Sequence, residues 1–216
     1  MNGITQSTAL WHASRATGVV SLVLLSAVAL LGVLVHRQGR LPGLPRFAVT
    51  GLHRTISLLA VVFLAVHVLS AVADKYVTIQ LIAAIIPFAS SYLPLQIGLG
   101  AVALDLVAAL VITSLLRARI GPRLWRGVHW LAYAAYPLAV VHSVTSAADL
   151  RAGGLLALTI ACGASVAAAA CYRLALADRR PPVPSAGRLA SGRYRTAAAP
   201  YPPREAATRM GEGALR

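Results

Sequence analysis

Five stretches of the sequence are long and apolar enough to cross a lipid bilayer, and this feature constrains the fold more than any other. A transmembrane helix needs about 20 predominantly apolar residues. Hydrophobic residues make up 58% of the 216 residues and charged residues only 12%, which is far less charge than a soluble domain of this length exposes. We predict transmembrane helices over about 11–35, 51–73, 94–117, 124–148 and 153–177.

The segments between and after these helices complete the predicted architecture. Residues 76–92 are apolar but too short to cross twice, and Pro87 interrupts them, which favours a short interfacial or re-entrant segment covered by protein. From Asp178 the chain is rich in proline and arginine without apolar periodicity, which is typical of disorder. The predicted fold class is therefore all-α: a polytopic membrane helix bundle with five transmembrane helices over 1–177, and a disordered basic tail over 178–216.

Positive charge is concentrated on one side of the predicted bundle. Of the 20 lysines and arginines, seventeen lie around the loops after the first and third helices or from Arg173 onward, whereas Arg15, Lys75 and Arg151 lie on the other side. Because basic residues favour the cytoplasmic side, we predict a multi-pass protein of the cytoplasmic membrane with its N-terminus outside and its C-terminus in the cytoplasm. The net charge is +14. Because the basic residues are concentrated on one side, we expect them to contact membrane lipid rather than nucleic acid.

Four histidines in two of the predicted helices are the main candidates for function. His53 and His67 are fourteen residues apart in the second helix, and His129 and His142 are thirteen residues apart in the fourth. Both helices run in the same direction, so we expect His53 to pair with His129 and His67 with His142, at two depths roughly 20 Å apart. Histidine within a membrane indicates a functional site, and haem iron takes histidine as an axial ligand. The sequence thus predicts one haem at each depth.

Three further observations bear on this hypothesis. The shorter spacing leaves His142 off the face of His129 in an ideal helix, unless the winding changes near Pro137. Zinc fits less well than haem, because no cysteine or carboxylate joins the four histidines. His12 and His36 lie at the predicted membrane edges, and we interpret them as surface residues.

The two histidine-bearing segments, GLHRTISLLAVVFLAVHV from Gly51 and GVHWLAYAAYPLAVVHS from Gly127, resemble the ferric-reductase-like transmembrane domain. That family includes the membrane cores of NADPH oxidases, ferric reductases and the haem-binding membrane subunit of the periplasmic methionine sulfoxide reductase. The resemblance covers about residues 10–175. It implies that the four histidines ligate two b-type haems, as in a membrane cytochrome b. It also implies a bare haem module, with any flavin on a partner protein, because only the tail follows the helices here.

Three arginines are candidate partners of the anionic haem propionates. Arg54 follows His53 directly, and Arg126 lies one turn before His129. Arg15 lies near the outer end of the first helix.

Other polar and aromatic residues lie within the predicted bundle. Asp105 is near the middle of the third helix, where we expect it to be protonated or bonded to a neighbouring helix. Phe63, Tyr133 and Tyr136 lie between the two histidine depths, where they either line an electron path or fill the bundle.

The expected function follows mostly from the resemblance. It is electron transfer across the membrane, from a cytoplasmic reductase or quinol to an extracytoplasmic acceptor protein. The chain would then be the electron-transfer subunit of an oxidoreductase, without a catalytic side chain of its own. Two alternatives remain open: a terminal enzyme that reduces ferric chelates or oxygen at the outer haem, and a non-redox membrane scaffold.

Overall fold

The computed structural model describes residues 2–36, 45–74, 79–146 and 153–177, and within these ranges the chain is helical without any strand. The helices are α1 (Asn2–His36), α2 (Arg46–Ala73), α3 (Leu81–Ile85), α4 (Pro94–Leu115), α5 (Arg117–Ile120), α6 (Pro122–His129), α7 (Ala132–Ser146) and α8 (Gly154–Ala177). The predicted all-α class is therefore confirmed. The tail over 178–216, Lys75, Arg151 and the side chain of His36 lie outside the described residues.

Four helices in the described part of the chain are long and apolar enough to span a bilayer. They are Ala9–Leu34, Phe47–Ala73, Pro94–Leu115 and Gly154–Ala175. The prediction of five continuous transmembrane helices is thus confirmed for four of them. The remaining one, predicted over 124–148, is divided between α6 and α7, and neither part is long enough to span a bilayer on its own.

The division between α6 and α7 is a local tightening of the helix rather than a loop. The amide of Leu131 donates to the carbonyl of Val128 at 2.9 Å, and the amide of Tyr133 donates to the carbonyl of Trp130 at 3.0 Å. Bonds over three residues are those of a 3₁₀ helix, which has fewer residues per turn than an α-helix. The winding therefore changes at Trp130 and Leu131, whereas Pro137, where we expected the change, lies inside α7.

Arg173 of α8 packs against this tightened turn. Its guanidinium carbon lies 4.8 Å from the ring centroid of Trp130 and 5.3 Å from that of Tyr133. It also donates a hydrogen bond to the Tyr133 hydroxyl. A cation over two aromatic faces is an attractive contact, so Arg173 of α8 stabilises the turn.

The long helices pack as two pairs. Helix α1 packs along α2, and α4 packs along α7, while α1 also contacts α7 and α8. Helices α1 and α2 are antiparallel, because His67 reaches Ser14 near the start of α1 and His53 lies against Gly32 near its end. Within the described residues α2 and α7 do not pack closely against each other. The two histidine-bearing helices are therefore positioned mainly by α1 and α4.

Buried hydroxyl groups in the bundle are satisfied within their own helices. Ser21, Ser26, Ser70 and Thr159 are buried, and each donates to the carbonyl four residues earlier. Such bonds are required because an unpaired polar group is costly in an apolar environment. Ser26 also forms a 2.8 Å hydrogen bond with the Tyr136 hydroxyl, which joins α1 to α7.

The short segment before α4 is the predicted interfacial or re-entrant part. Helix α3 has only five residues and packs against α4. The ring of Phe88 lies so close to Gly98 that a Cβ atom there would meet it at 2.2 Å. Pro94 occupies the first turn of α4, where its fixed φ suits a helix and its missing amide costs nothing.

Candidate metal centres

His67 and His142 form the better defined of the two predicted pairs. Their ring centroids are 6.4 Å apart, with the ring planes 72° from parallel. One ring comes from α2 and the other from α7, as the parallel-helix argument predicted. We call this pair the His67 level.

Both rings at the His67 level are fixed through Nδ1. The Nδ1 atom of His67 is 2.7 Å from the carbonyl oxygen of Ser14 on α1. The Nδ1 atom of His142 is 2.7 Å from the carbonyl oxygen of Gln96 on α4, with the Ser146 hydroxyl at 3.2 Å. A carbonyl can only accept, so each Nδ1 carries the proton and each Nε2 retains its lone pair. This is the usual arrangement of a metal-ligating histidine, whose other nitrogen is bonded to a carbonyl or carboxylate.

The separation of the two rings suits a shared metal ion. Two metal–nitrogen bonds of about 2 Å, together with the two ring radii, give roughly 6 Å between ring centroids. The observed separation is close to this value. No group of three or more histidine, cysteine, aspartate or glutamate side chains within the described ranges could hold a metal ion. The donor set is therefore two imidazoles, which fits the two axial positions of a haem iron and not a structural zinc site.

His53 and His129 form the second pair, which we call the His53 level. His53 lies on α2 and His129 at the end of α6, and the two imidazoles lie near each other. The His53 ring lies near the carbonyl of Val28 on α1, but the buried Nδ1 atoms of His53 and His129 have no hydrogen-bond partner of ordinary geometry among the described residues. Buried polar atoms are nearly always paired. Two orphaned imidazoles at one depth are therefore consistent with a site built for a bound group.

The three arginines suggested as propionate partners have different surroundings. Arg15 lies 4.4 Å from the Trp11 ring centroid, measured from its guanidinium carbon, and has a further contact. Arg54 is exposed next to the His53 level. Arg126 is also exposed, and its Nε donates to the carbonyl of Pro122 on its own helix at 3.1 Å. All three remain predictions as propionate partners.

Arg117 is a cation near the His53 level that the sequence analysis did not single out. Its guanidinium carbon lies 4.4 Å from the Trp125 ring centroid. Trp125 in turn stacks on His129, with centroids 4.9 Å apart and planes 28° from parallel. The spacing of Trp125 and His129, four residues apart on one helix, was the available sequence signal. The stack connects the start of α5 to a candidate ligand.

The other polar and aromatic residues singled out in the sequence differ in whether they contact a neighbouring helix. Tyr136 bonds to Ser26 and Tyr133 to Arg173, whereas Phe63 is half-buried in α2. Asp105 is exposed on α4 and has no hydrogen bond or ion pair to the described part of the chain. The interhelical bond expected for Asp105 is therefore not seen there. His12 is exposed at α1 beside Trp11, which agrees with its interpretation as a surface residue.

Comparison with protein families places this geometry in a known context. The family model of the ferric reductase like transmembrane component matches residues 17–140. The chain belongs to this family. The matched region contains His53, His67 and His129 and ends two residues before His142. No curated protein and no solved structure matches the chain.

Membership of the ferric reductase like family supports a coarse functional statement. The chain is a membrane protein of a family whose members typically bind haem and carry out redox chemistry, which indicates electron transfer in a membrane. The resemblance described from the sequence is thereby confirmed.

Proposed function

We propose that this protein holds two b-type haems, one at each histidine level, and carries electrons across the cytoplasmic membrane. The single observation that carries the proposal is the His67–His142 pair. Two imidazoles from separate helices lie 6.4 Å apart with both Nδ1 atoms bonded to backbone carbonyls. A pair of neutral imidazoles held in this way supports axial ligation of one iron.

Each level has its own residues in this proposal. His67 and His142 ligate one haem, and His53 and His129 ligate the other. When bound, haem iron supplies one-electron redox chemistry. The protein would contribute the two imidazoles at each level, their orientation and the apolar side chains of the surrounding helices.

The route across the membrane rests on depth. His53 and His67 are 14 residues apart on α2, which corresponds to roughly 20 Å along the helix axis. In the proposal, α6 and α7 together make the fourth of five crossings in chain order. The arginine-rich loops and tail face the cytoplasm, which makes the His53 level the cytoplasmic one.

In this role the chain relays electrons between partners on the two sides of the membrane. A cytoplasmic reductase or quinol is the donor, and an acceptor protein outside the membrane receives the electrons. The Arg117–Trp125–His129 stack lies at the proposed cytoplasmic end, where a donor would approach.

Haem stoichiometry in the purified full-length chain tests the proposal. Four axial histidines serve two irons, so a pyridine haemochrome assay should give two b-type haems per chain, with low-spin ferric spectra. A ratio of one haem per chain would show that only one of the two histidine levels binds haem. Protein that is folded and free of haem would remove the proposed function altogether.

A further inference from the structure

Three of the four histidine rings lie directly against a glycine of a neighbouring helix. A Cβ atom built on Gly100 would lie 2.6 Å from His142 Cε1, and one on Gly18 would lie 3.0 Å from both Cε1 and Nδ1 of His67. A Cβ atom on Gly32 would lie 3.5 Å from His53 Cε1. At Gly100 and Gly18 the absence of a side chain is what lets the rings approach the helix backbone, whereas a Cβ atom on Gly32 would make only an ordinary contact.

The two glycines of α1 repeat the spacing of the histidines they face. Gly18 and Gly32 are 14 residues apart, and so are His53 and His67 on the antiparallel α2. Because the helices run in opposite directions, Gly18 meets His67 and Gly32 meets His53. The register of glycine against histidine is therefore the same at both levels, although only at the His67 level would a side chain press on the ring.

At the His67 level each glycine is coupled to the carbonyl that holds the histidine. Ser14 is four residues before Gly18, and Gln96 is four residues before Gly100. In an α-helix the carbonyl at one position points along the axis toward the residue four positions later. A ring that lies over the glycine can thus bring its Nδ1 to that carbonyl, which is the 2.7 Å contact observed in both cases.

We propose that Gly18 and Gly100 are positioning residues for the axial ligands of the His67 level. Each opens a notch in its helix through which an imidazole reaches the backbone carbonyl four residues earlier. The notch fixes the ring with its proton on Nδ1 and its Nε2 lone pair toward the metal. This inference rests on the proposed function, since it assigns the notches a role toward the haem iron.

The notches also set the donor strength of the two ligands. An imidazole whose Nδ1–H donates to a carbonyl is a more basic ligand than one without that bond. A more basic ligand stabilises the ferric state, so losing the bond raises the reduction potential of the iron. The effect is expected mainly at the His67 level, because the Nδ1 atoms of His53 and His129 have no hydrogen bond of ordinary geometry among the described residues, although the carbonyl of Val28, four residues before Gly32, lies near the His53 ring.

A graded series of alanine substitutions tests the proposal in the full-length, haem-loaded protein. Gly100→Ala and Gly18→Ala place a methyl group against the ring, and Gly32→Ala makes only an ordinary contact. Gly51→Ala and Gly127→Ala are matched controls, because each lies two residues before a histidine and a Cβ atom there meets nothing within 4 Å. The readouts are haem content, the low-spin ferric resonance spectrum and the two midpoint potentials.

Gly100→Ala should lose one of the two haems, or keep it with a raised midpoint and an altered ferric spectrum. Gly18→Ala should change the same component to a smaller extent. The second component should stay unchanged in both variants, and Gly32→Ala, Gly51→Ala and Gly127→Ala should resemble the parent chain. Unchanged midpoints and spectra in Gly100→Ala would overturn the inference, as would equal effects in the two controls.

The His142→Ala variant, which lacks the ring, provides a second test if Gly100→Ala alone does not fold. Removing the imidazole with His142→Ala leaves nothing for the new methyl group to strike. The double variant Gly100→Ala, His142→Ala should therefore fold as well as His142→Ala and keep the same single haem. If it does not, Gly100 serves packing alone and the inference is wrong. Failure of the proposed function is recognised separately, since the parent chain would then carry fewer than two haems.

Discussion

His67 and His142 differ from His53 and His129 in how their Nδ1 atoms are satisfied. The first two bond to carbonyls at 2.7 Å, whereas the other two are buried without a partner of ordinary geometry in the described structure. An unsatisfied buried polar group costs about 1–3 kcal/mol. The His67 level is therefore preorganised by the fold itself, and the His53 level is the more dependent on what binds there.

Alanine substitutions of single histidines should separate the two levels. His67→Ala and His142→Ala should each reduce the haem content from two per chain to one, with loss of the same midpoint, because each removes one axial ligand of one iron. His53→Ala and His129→Ala should each remove the other midpoint. Potentiometric titration followed by absorbance makes the comparison.

His12→Ala is the matched control for this experiment, since His12 is exposed near the same end of the bundle as His67. It should keep both haems. If His53→Ala and His142→Ala abolished the same midpoint, the pairing by depth would be wrong.

At this scale the sequence predicted the ligands but not what holds them. Histidine in an apolar helix is recognisable by residue type alone. The carbonyls of Ser14 and Gln96 are backbone atoms on other helices, and no side chain at those positions signals them. Gly18 and Gly32 could have been found, because their spacing matches that of His53 and His67.

Among the elements, the α6–α7 turn has the most direct effect on the site. In an ideal helix the spacing of His129 and His142, one position shorter than that of His53 and His67, would leave His142 well away from the face of His129. The bonds over three residues around Trp130 and Leu131 rotate the chain further per residue than α-helical bonds do. The turn thus compensates for part of the missing residue.

Deletion of Leu131 should displace one ligand. The deletion makes the spacing of His129 and His142 one residue shorter still, which rotates α7 by about 100° relative to α6 and shifts it by about 1.5 Å. His129 and His142 can then no longer both face α2, so haem content should fall from two to about one per chain. A haemochrome assay on the purified variant measures this.

Deletion of Asp178 serves as the control, because it also removes one residue but lies outside the helices that carry the histidines. It should leave both haems in place. Full haem content in the variant without Leu131 would show that the turn does not set the register of α7.

The sequence predicted where the helices lie but not how the fourth one is divided. Pro137 was the obvious position for a change of winding, because proline removes an amide donor. Trp130 and Leu131 carry no such signal. Their conformation is supported by tertiary contacts of Trp130 and Tyr133 with Arg173 of α8, which lies in a separate helix much further along the chain. Local patterns cannot reveal a contact of this kind.

For the whole molecule, the histidine sites and the tail are expected to be separable. All four histidines lie in helices between Arg46 and Ser146, and the positioning contacts come from α1 and α4. The segment from Asp178 onward is rich in proline and arginine and lacks apolar periodicity, so it cannot add to a packed core.

Truncation after Asp178 should therefore leave two haems per chain with unchanged absorption spectra. The comparison requires the truncated and full-length chains purified in the same detergent. Loss of either haem on truncation would show that the tail contributes to the sites.

The same tail reports the orientation of the bundle. Its arginines form the largest part of the charge bias, so it should be cytoplasmic. Protease added to sealed right-side-out vesicles should leave the tail intact and should remove it once the vesicles are opened. Cleavage in the sealed vesicles would reverse the assignment of the two levels to the two sides.

The packing of the long helices as two pairs has a consequence for biosynthesis. Helices α1 and α2 leave the ribosome first and already contain one imidazole of each level, together with Gly18 and Gly32. The opposing imidazoles are made only with α6 and α7, after α3, α4 and α5 have been synthesised. Under the proposed function the cofactors can thus be clamped only late in synthesis. Once α7 has been made, contacts such as the Ser26–Tyr136 hydrogen bond join the two halves, and cofactor capture becomes a late step of maturation.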